Sequence, residues 1–262
     1  MKNIAVVLAG GSGKRMGLPT PKQFVEIAGR AVIEYSIGTF NDHSAIDEVA
    51  VVVHPDWRQE LQIIIGRNRW DKLKKVIDGG SERYMSTLNA VMAYIDYPDD
   101  SPSGSKGETT YVQSGVNLLL HDAARPLVSA DIIDRVVSSL QHHEAVGVAV
   151  PSTDTVWEVH PDISAQYSEF SAQSRIPRFV ARIPERRLMW RAQTPQAFRL
   201  PLIRDAYQRA LQDPQFQVTD DCGVVRKYMP GTKIAVVEGD ERNFKITVSS
   251  DLERAKALVS NS

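Results

Sequence analysis

Cysteine is almost absent from this 262-residue chain. Cys222 stands alone, so no intrachain disulfide can form, and a reducing, cytoplasmic setting is the natural expectation. No apolar run approaches the roughly 18 residues that a membrane span needs, and the opening MKNIAVVLAGG lacks the layout of a secretory leader. Neither a membrane protein nor an exported one is expected. An excess of one charge is missing too: 31 basic residues stand against 32 acidic ones, for a formal net charge of −1. A chain held to nucleic acid by bulk electrostatics would carry a basic stripe, so nucleic acid is not an expected partner. No internal repeat and no linker marks a second domain, and residues 1–262 read as one unit. A chain of this length buries about 70–75% of its unfolded surface and needs neither metal nor disulfide to fold.

What the chain does contain is a succession of short runs rich in Val, Ile, Leu and Ala, at residues 4–9, 49–53, 116–120, 146–150 and 234–237. None alternates polar with apolar, which is the pattern of strands covered on both faces. Between them, helical periodicity occupies 31–40, 56–66, 84–94, 130–142, 200–211 and 251–259. This alternation predicts an α/β fold with a doubly wound, mostly parallel, Rossmann-like sheet. Ligands of such sheets sit beyond the carboxyl ends of the strands, so the loops after Ala9, Val53, Leu120 and Val150 are the first places to look. Two segments break the rhythm. Residues 96–115 form a polar, Gly/Ser/Pro-rich loop. Residues 156–187, with arginines at 175, 178, 182, 186 and 187, are too long for an ordinary connection and predict a protruding arm or a lid.

The first run ends in Leu8-Ala-Gly-Gly-Ser-Gly-Lys-Arg-Met-Gly17, followed by Pro21-Lys22-Gln23. A glycine-rich turn directly after a buried strand lets backbone N–H groups approach phosphates. Two common phosphate motifs do not fit. Three residues separate Gly10 from Lys14 where the P-loop has five between its first glycine and its lysine, and Met16 occupies the third-glycine position of the dinucleotide fingerprint. Arg15 and Lys22, both near the turn, point to a polyphosphate rather than to a merely structural bend.

These residues resemble the opening of the cytidylyltransferases that join CTP to a polyol phosphate, within the larger nucleotidyltransferase fold. Further matches follow in order along the chain: Gly79-Gly80-Ser-Glu-Arg-Tyr-Met-Ser86, His121-Asp-Ala-Ala-Arg-Pro126, Pro151-Ser-Thr-Asp-Thr155, Gln193-Thr-Pro-Gln196, Thr219-Asp220-Asp221 and Glu238-Gly with Asn243-Phe-Lys-Ile-Thr247. The resemblance implies that a substrate phosphate oxygen attacks the α-phosphate of CTP and releases pyrophosphate, a reaction in which positioning and fixed positive charge do most of the work. It implies Arg15 and Lys22 as transition-state cations and Lys245 and Arg186 as the groups that hold the attacking phosphate. Leu8, Ala9, Gly10, Gly11, Gly13, Gly80, Ser81, Ser86 and Ala123 match the nucleotide side. Gly80 is expected to be glycine so that base or ribose can approach the backbone; Ser86 reads equally as a helix N-cap. Asp122, Arg125, Thr155, Arg186 and Lys245 match the acceptor side, where a carboxylate suits hydroxyls and an arginine suits hydroxyls or phosphate. A mutual Asp122–Arg125 salt bridge is the plain structural alternative. His121 is expected to pack or support rather than to act as a base, because the attacking phosphate oxygen is already ionised. Asp220 and Asp221 are expected to cap a following helix. Mg²⁺ is expected to arrive with CTP and complete its shell with water, and no metal-binding residue is named. The same resemblance makes the arm the contact of a homodimer.

Two acceptors compete within the family. The motifs His121–Pro126, Ala192–Phe198 and Thr219–Asp221 look like the 2-C-methyl-D-erythritol 4-phosphate branch. Leu8–Gly11, His54-Pro-Asp-Trp57 and Ile183-Pro-Glu-Arg186 look more like the D-ribitol 5-phosphate branch. The balance favours methylerythritol phosphate, although one methyl is worth only about 1–3 kcal/mol of discrimination.

Overall fold

A computed structural model of the chain describes residues 1–11, 20–95, 115–161 and 178–260. Gly13 and Arg15, residues 96–114 of the polar loop and residues 162–177 of the arm lie outside the described residues. In chain order the elements are β1 (Lys2–Ala9), β2 (Glu26–Ile27), β3 (Arg30–Ala31), α1 (Val32–Asp42), β4 (Glu48–Val53), α2 (Arg58–Arg67), β5 (Leu73–Asp78), α3 (Arg83–Met92), β6 (Val116–Asp122), α4 (Ala130–Ser139), β7 (Ala145–Pro151), β8 (Glu158–Pro161), β9 (Arg178–Arg182), β10 (Trp190–Arg199), α5 (Leu200–Ala210), α6 (Asp221–Tyr228), β11 (Ile234–Glu238) and α7 (Ser249–Ser260).

The doubly wound arrangement follows from the strands' side-chain period of two. Along β1, Ala5, Val7 and Ala9 enter one core with Ile33, Ile37 and Phe40 of α1, Leu61 and Ile64 of α2, and Ile132, Ile133 and Val136 of α4. The alternate residues Ile4, Val6 and Leu8 enter a second core with Ala90 and Val91 of α3, Ile203 and Tyr207 of α5, and Val224 and Val225 of α6. Continuous apolar runs are thus required by helices on both faces. The seven-stranded sheet runs β11-β7-β10-β6-β1-β4-β5. β1 pairs in parallel with both β4 and β6, while β10 is antiparallel to β6 and β7. A third cluster of Ile27, Val32, Ile246, Leu252 and Ala255 fastens the chain after β11 and α7 to the β2–β3 hairpin.

Two sheet strands escape the search for apolar runs, for physical reasons. β10 is buried from Gln193 to Phe198, but Gln193, Thr194 and Gln196 fill that interior with hydrogen-bonded polar side chains. β5 is the sheet's edge and carries Lys74 and Lys75, as edge strands do. The arm is more regular than expected: β8 and β9 form a two-stranded antiparallel ribbon separate from the main sheet.

Candidate active site

The parallel pairing of β1, β4 and β6 puts their carboxyl ends along one edge of the sheet. Backbone bonds then draw the loops together. The Ala123 N–H donates to the Leu8 carbonyl at 3.0 Å, and the Gly79 N–H to the Val53 carbonyl at 2.7 Å. A Cβ on Gly10 would overlap the Ser86 hydroxyl, so the glycine turn and the start of α3 are in direct contact. Leu8, Ala9, Gly10, Gly11, Gly80, Ser86, Asp122, Ala123 and Arg125 are therefore neighbours. Gln23 locks the turn in place: its buried amide donates to the carbonyls of Ala9 (2.9 Å) and Gly11 (2.7 Å). Sequence reasoning had given Gln23 no role.

The two candidate lysines, Lys22 and Lys245, reach adjoining groups. Lys22 Nζ donates to the Ile246 carbonyl at 2.7 Å, and Lys245 Nζ donates to Asp122 Oδ2 at 2.8 Å. The Ile246 N–H in turn donates to the Ala124 carbonyl at 2.8 Å, seating this segment over the end of β6. Arg125 is buried and serves the same junction. Its Nη1 donates to the Asn243 carbonyl at 2.7 Å, its Nη2 to the Ala192 carbonyl at 3.3 Å, and its Nε lies 3.8 Å from Asp122 Oδ2. The Asp122–Arg125 ion pair, the structural alternative to a role toward the acceptor, is present, but the guanidinium chiefly braces its own chain.

Asp122 also meets a residue that the sequence reading passed over. Arg83 Nε lies 3.4 Å from Asp122 Oδ1, and its Nη2 donates to Asp221 Oδ2 at 2.8 Å. Burial opposes ionisation of Asp122, yet Arg83, Lys245 and Arg125 outweigh it and hold the carboxyl well below the usual carboxylate range. Two carboxylates, Asp122 and Asp221, thus face three cations, Arg83, Lys245 and Arg125. With Lys22 alongside, the described cluster has a surplus of positive charge, which suits anionic ligands. A signal for Arg83 did exist: a cation in the first turn of a helix runs against the helix dipole and calls for a partner elsewhere.

His121 is fully buried. A carbonyl can only accept, so the 3.0 Å contact to the Arg125 carbonyl makes Nε2 the donor, and Nδ1 accepts from the Thr194 hydroxyl at 3.0 Å. Burial pushes its pKa down to about 4. A neutral ring with both nitrogens engaged is a supporting residue, in line with expectation.

A Cβ on Gly80 would overlap Met85 Cβ in the first turn of α3, a packing reason for glycine beside the expected approach of base or ribose. Two expectations need correction. Ser86 is no N-cap: it lies inside α3, whose N-cap is Glu82, and its hydroxyl accepts the Gly80 N–H at 3.2 Å. Asp220 does cap α6, accepting from the Gly223 N–H at 2.8 Å, but Asp221 is completely buried between Arg83 and Tyr207. Ser81 is exposed at the loop's tip, where its hydroxyl lies 3.2 Å from Met85 Sδ. Thr155 and Arg186 are exposed at the base of the arm, and neither bonds to the Lys22–Asp122–Lys245 cluster.

A family model described as 2-C-methyl-D-erythritol 4-phosphate cytidylyltransferase matches residues 3–261. A protein of that description from Thermobifida fusca is 42% identical over 97% of this chain and 92% of its own length. A bifunctional ribulose 5-phosphate reductase/CDP-ribitol pyrophosphorylase from Haemophilus influenzae is 34% identical over 98% of this chain, which covers 48% of that protein. Among solved structures, the 4-diphosphocytidyl-2C-methyl-D-erythritol synthase of Anaerococcus prevotii superposes with a TM-score of 0.74 at 27% identity, covering 99% of this chain and 96% of its own.

Proposed function

Because the chain belongs to the 2-C-methyl-D-erythritol 4-phosphate cytidylyltransferase family, we propose that it transfers CMP from CTP to 2-C-methyl-D-erythritol 4-phosphate, releasing pyrophosphate. The observation that carries this reading into the site is the meeting of Lys22, Lys245 and Asp122 at the carboxyl ends of the strands. An acceptor phosphate oxygen attacks the α-phosphorus of CTP; the new P–O bond forms as the bond to the β-phosphate breaks, and the electron pair leaves with pyrophosphate. That oxygen is already ionised at neutral pH, so no base is required, and His121 is free to remain neutral. Fixed positive charge is what the step requires, because negative charge builds up on the α-phosphoryl oxygens and the leaving group.

In this scheme Lys22, together with Arg15, faces the developing charge, and Lys245 holds the attacking phosphate. Asp122, with its ionised carboxylate kept by three cations, accepts from acceptor hydroxyls. Among the described residues no group of three His, Cys, Asp or Glu side chains could hold a metal ion, and the Asp122 carboxylate is already matched by cations. A Mg²⁺ carried in with CTP would add positive charge beside that of Lys22 and Lys245 and would draw charge off the leaving group. The arm is assigned to a homodimer, in which Thr155 and Arg186 reach the acceptor phosphate of the neighbouring subunit. Among the described residues no helix is long and apolar enough to cross a membrane, and we place the enzyme in the cytoplasm.

Ribitol 5-phosphate is the second acceptor to consider, supported by the 34% identity to a protein named for CDP-ribitol synthesis. Pyrophosphate release from CTP, with each polyol phosphate supplied separately, decides between them. Methylerythritol phosphate is expected to give the higher kcat/KM; preference for ribitol phosphate would reverse the assignment, and turnover with neither would end it.

A further inference from the structure

Arg83 is the first residue of α3, a position where the helix dipole favours a carboxylate. Helix stability does not account for a cation there, and its contacts do. One end of the guanidinium is anchored in the core: Nη2 donates to Asp221 Oδ2 at 2.8 Å, and Asp221 Oδ1 accepts from the Tyr207 hydroxyl at 2.7 Å. Asp221 and Tyr207 are fully buried. The other end, Nε, lies 3.4 Å from Asp122 Oδ1, on the oxygen that Lys245 does not take. We propose that Arg83 is a positioning residue for the acceptor: anchored by Asp221 and Tyr207, it sets the direction in which the Asp122 carboxylate faces the polyol. This rests on the reading of Asp122 as an acceptor-side residue. It gives Asp221 and Tyr207 a functional part, as the fixed end of a chain Tyr207–Asp221–Arg83–Asp122 that runs from the second core to the site.

A purely structural Arg83 would neutralise buried Asp221 and affect folding alone. A positioning Arg83 has a kinetic signature, because misdirecting a group that orients the substrate can cost on the order of 10²-fold in rate without touching the chemistry directly. The test measures melting temperature, and kcat and KM for CTP and for 2-C-methyl-D-erythritol 4-phosphate separately, in wild type, Arg83→Met, Arg83→Lys, Asp221→Asn and Asp122→Asn. Arg83→Met should lower kcat/KM for the acceptor by on the order of 10²-fold while the KM for CTP changes by no more than about twofold. Arg83→Lys should recover part of that loss, since the charge is kept but the two-ended fork is not. Asp221→Asn loosens the anchor and leaves Arg83 and Asp122 in place, so it should shift the same acceptor parameter by less. Arg83→Met combined with Asp122→Asn should be no worse than the poorer single variant, as for residues acting through one another.

An Arg83→Met enzyme that folds and keeps wild-type acceptor kinetics overturns the proposal, as does equal weakening of both substrates. Should Arg83→Met fail to fold, unchanged acceptor kinetics in both Arg83→Lys and Asp221→Asn overturn it. Failure of the underlying reading looks different: Asp122→Asn would then weaken CTP and acceptor alike, and the proposal falls with it.

Discussion

His121 ends up neutral because it is fully buried, with one acceptor and one donor for its two ring nitrogens. The consequence is a pH dependence of stability whose sign can be worked out. In the unfolded chain the ring titrates near 6.5, and in the folded protein near 4. Below about pH 6.5 the unfolded state takes up a proton that the folded state refuses until about pH 4. The unfolded state binds more protons in that window, so stability falls as pH drops through it. Between pH 7 and pH 4.5 this one group should contribute a loss of roughly 2–3 kcal/mol. Denaturant unfolding of wild type and His121→Gln at the two pH values isolates it, since carboxylate contributions are common to both proteins. Equal losses in the two proteins would mean that the ring is protonated or wet in the folded state.

At the scale of the element, the glycine turn after β1 and the loop before α3 interlock, and their glycines serve different purposes. A Cβ at Gly80 would overlap Met85, whereas a Cβ at Gly11 would meet no described atom within 4 Å. Gly80→Ala should therefore cost about 1–3 kcal/mol of stability through overpacking, visible as a lower melting temperature. Gly11→Ala should leave stability within about 0.5 kcal/mol but raise the KM for CTP by about tenfold, if the proposed site gives the space above Gly11 to the triphosphate. An unchanged KM in Gly11→Ala would place the phosphates elsewhere.

For the molecule as a whole, the arm is the feature that its own subunit does not explain. An isolated two-stranded ribbon is marginal in water, and β8–β9 with its flanking residues exposes large apolar side chains: Phe179 of β9 at 55%, and Trp157 and Ile183 beside the strands at 59% each. Exposed apolar surface of this kind needs a cover, and in the proposed homodimer a second copy across a two-fold axis would supply it. Wild type should sediment as a dimer, while Phe179→Glu should shift the population toward monomer and lower turnover with it. A dimer unaffected by Phe179→Glu and by Trp157→Glu would remove the arm from the interface.

Much of this protein is written plainly in its sequence. Apolar runs without alternation dictate strands covered on both faces, and the glycines after Ala9 with Pro21-Lys22-Gln23 mark the end of the sheet where the loops meet, because both are local patterns set by backbone sterics and burial. β10 was not legible, since its interior is polar and is tolerated only because Gln193, Thr194 and Gln196 find partners on other elements. Gln23, Arg83 and Asp221 stand inside legible motifs, and Arg83 opposes its helix dipole, but their partners are not legible. Their partners lie on distant elements, Asp221 138 residues along the chain from Arg83, and nothing in a linear pattern ranks one buried arginine–aspartate pair above the many charges left in solvent. Which cations brace the chain and which meet a carboxylate is decided only where the tertiary structure withdraws those groups from water and partners become obligatory.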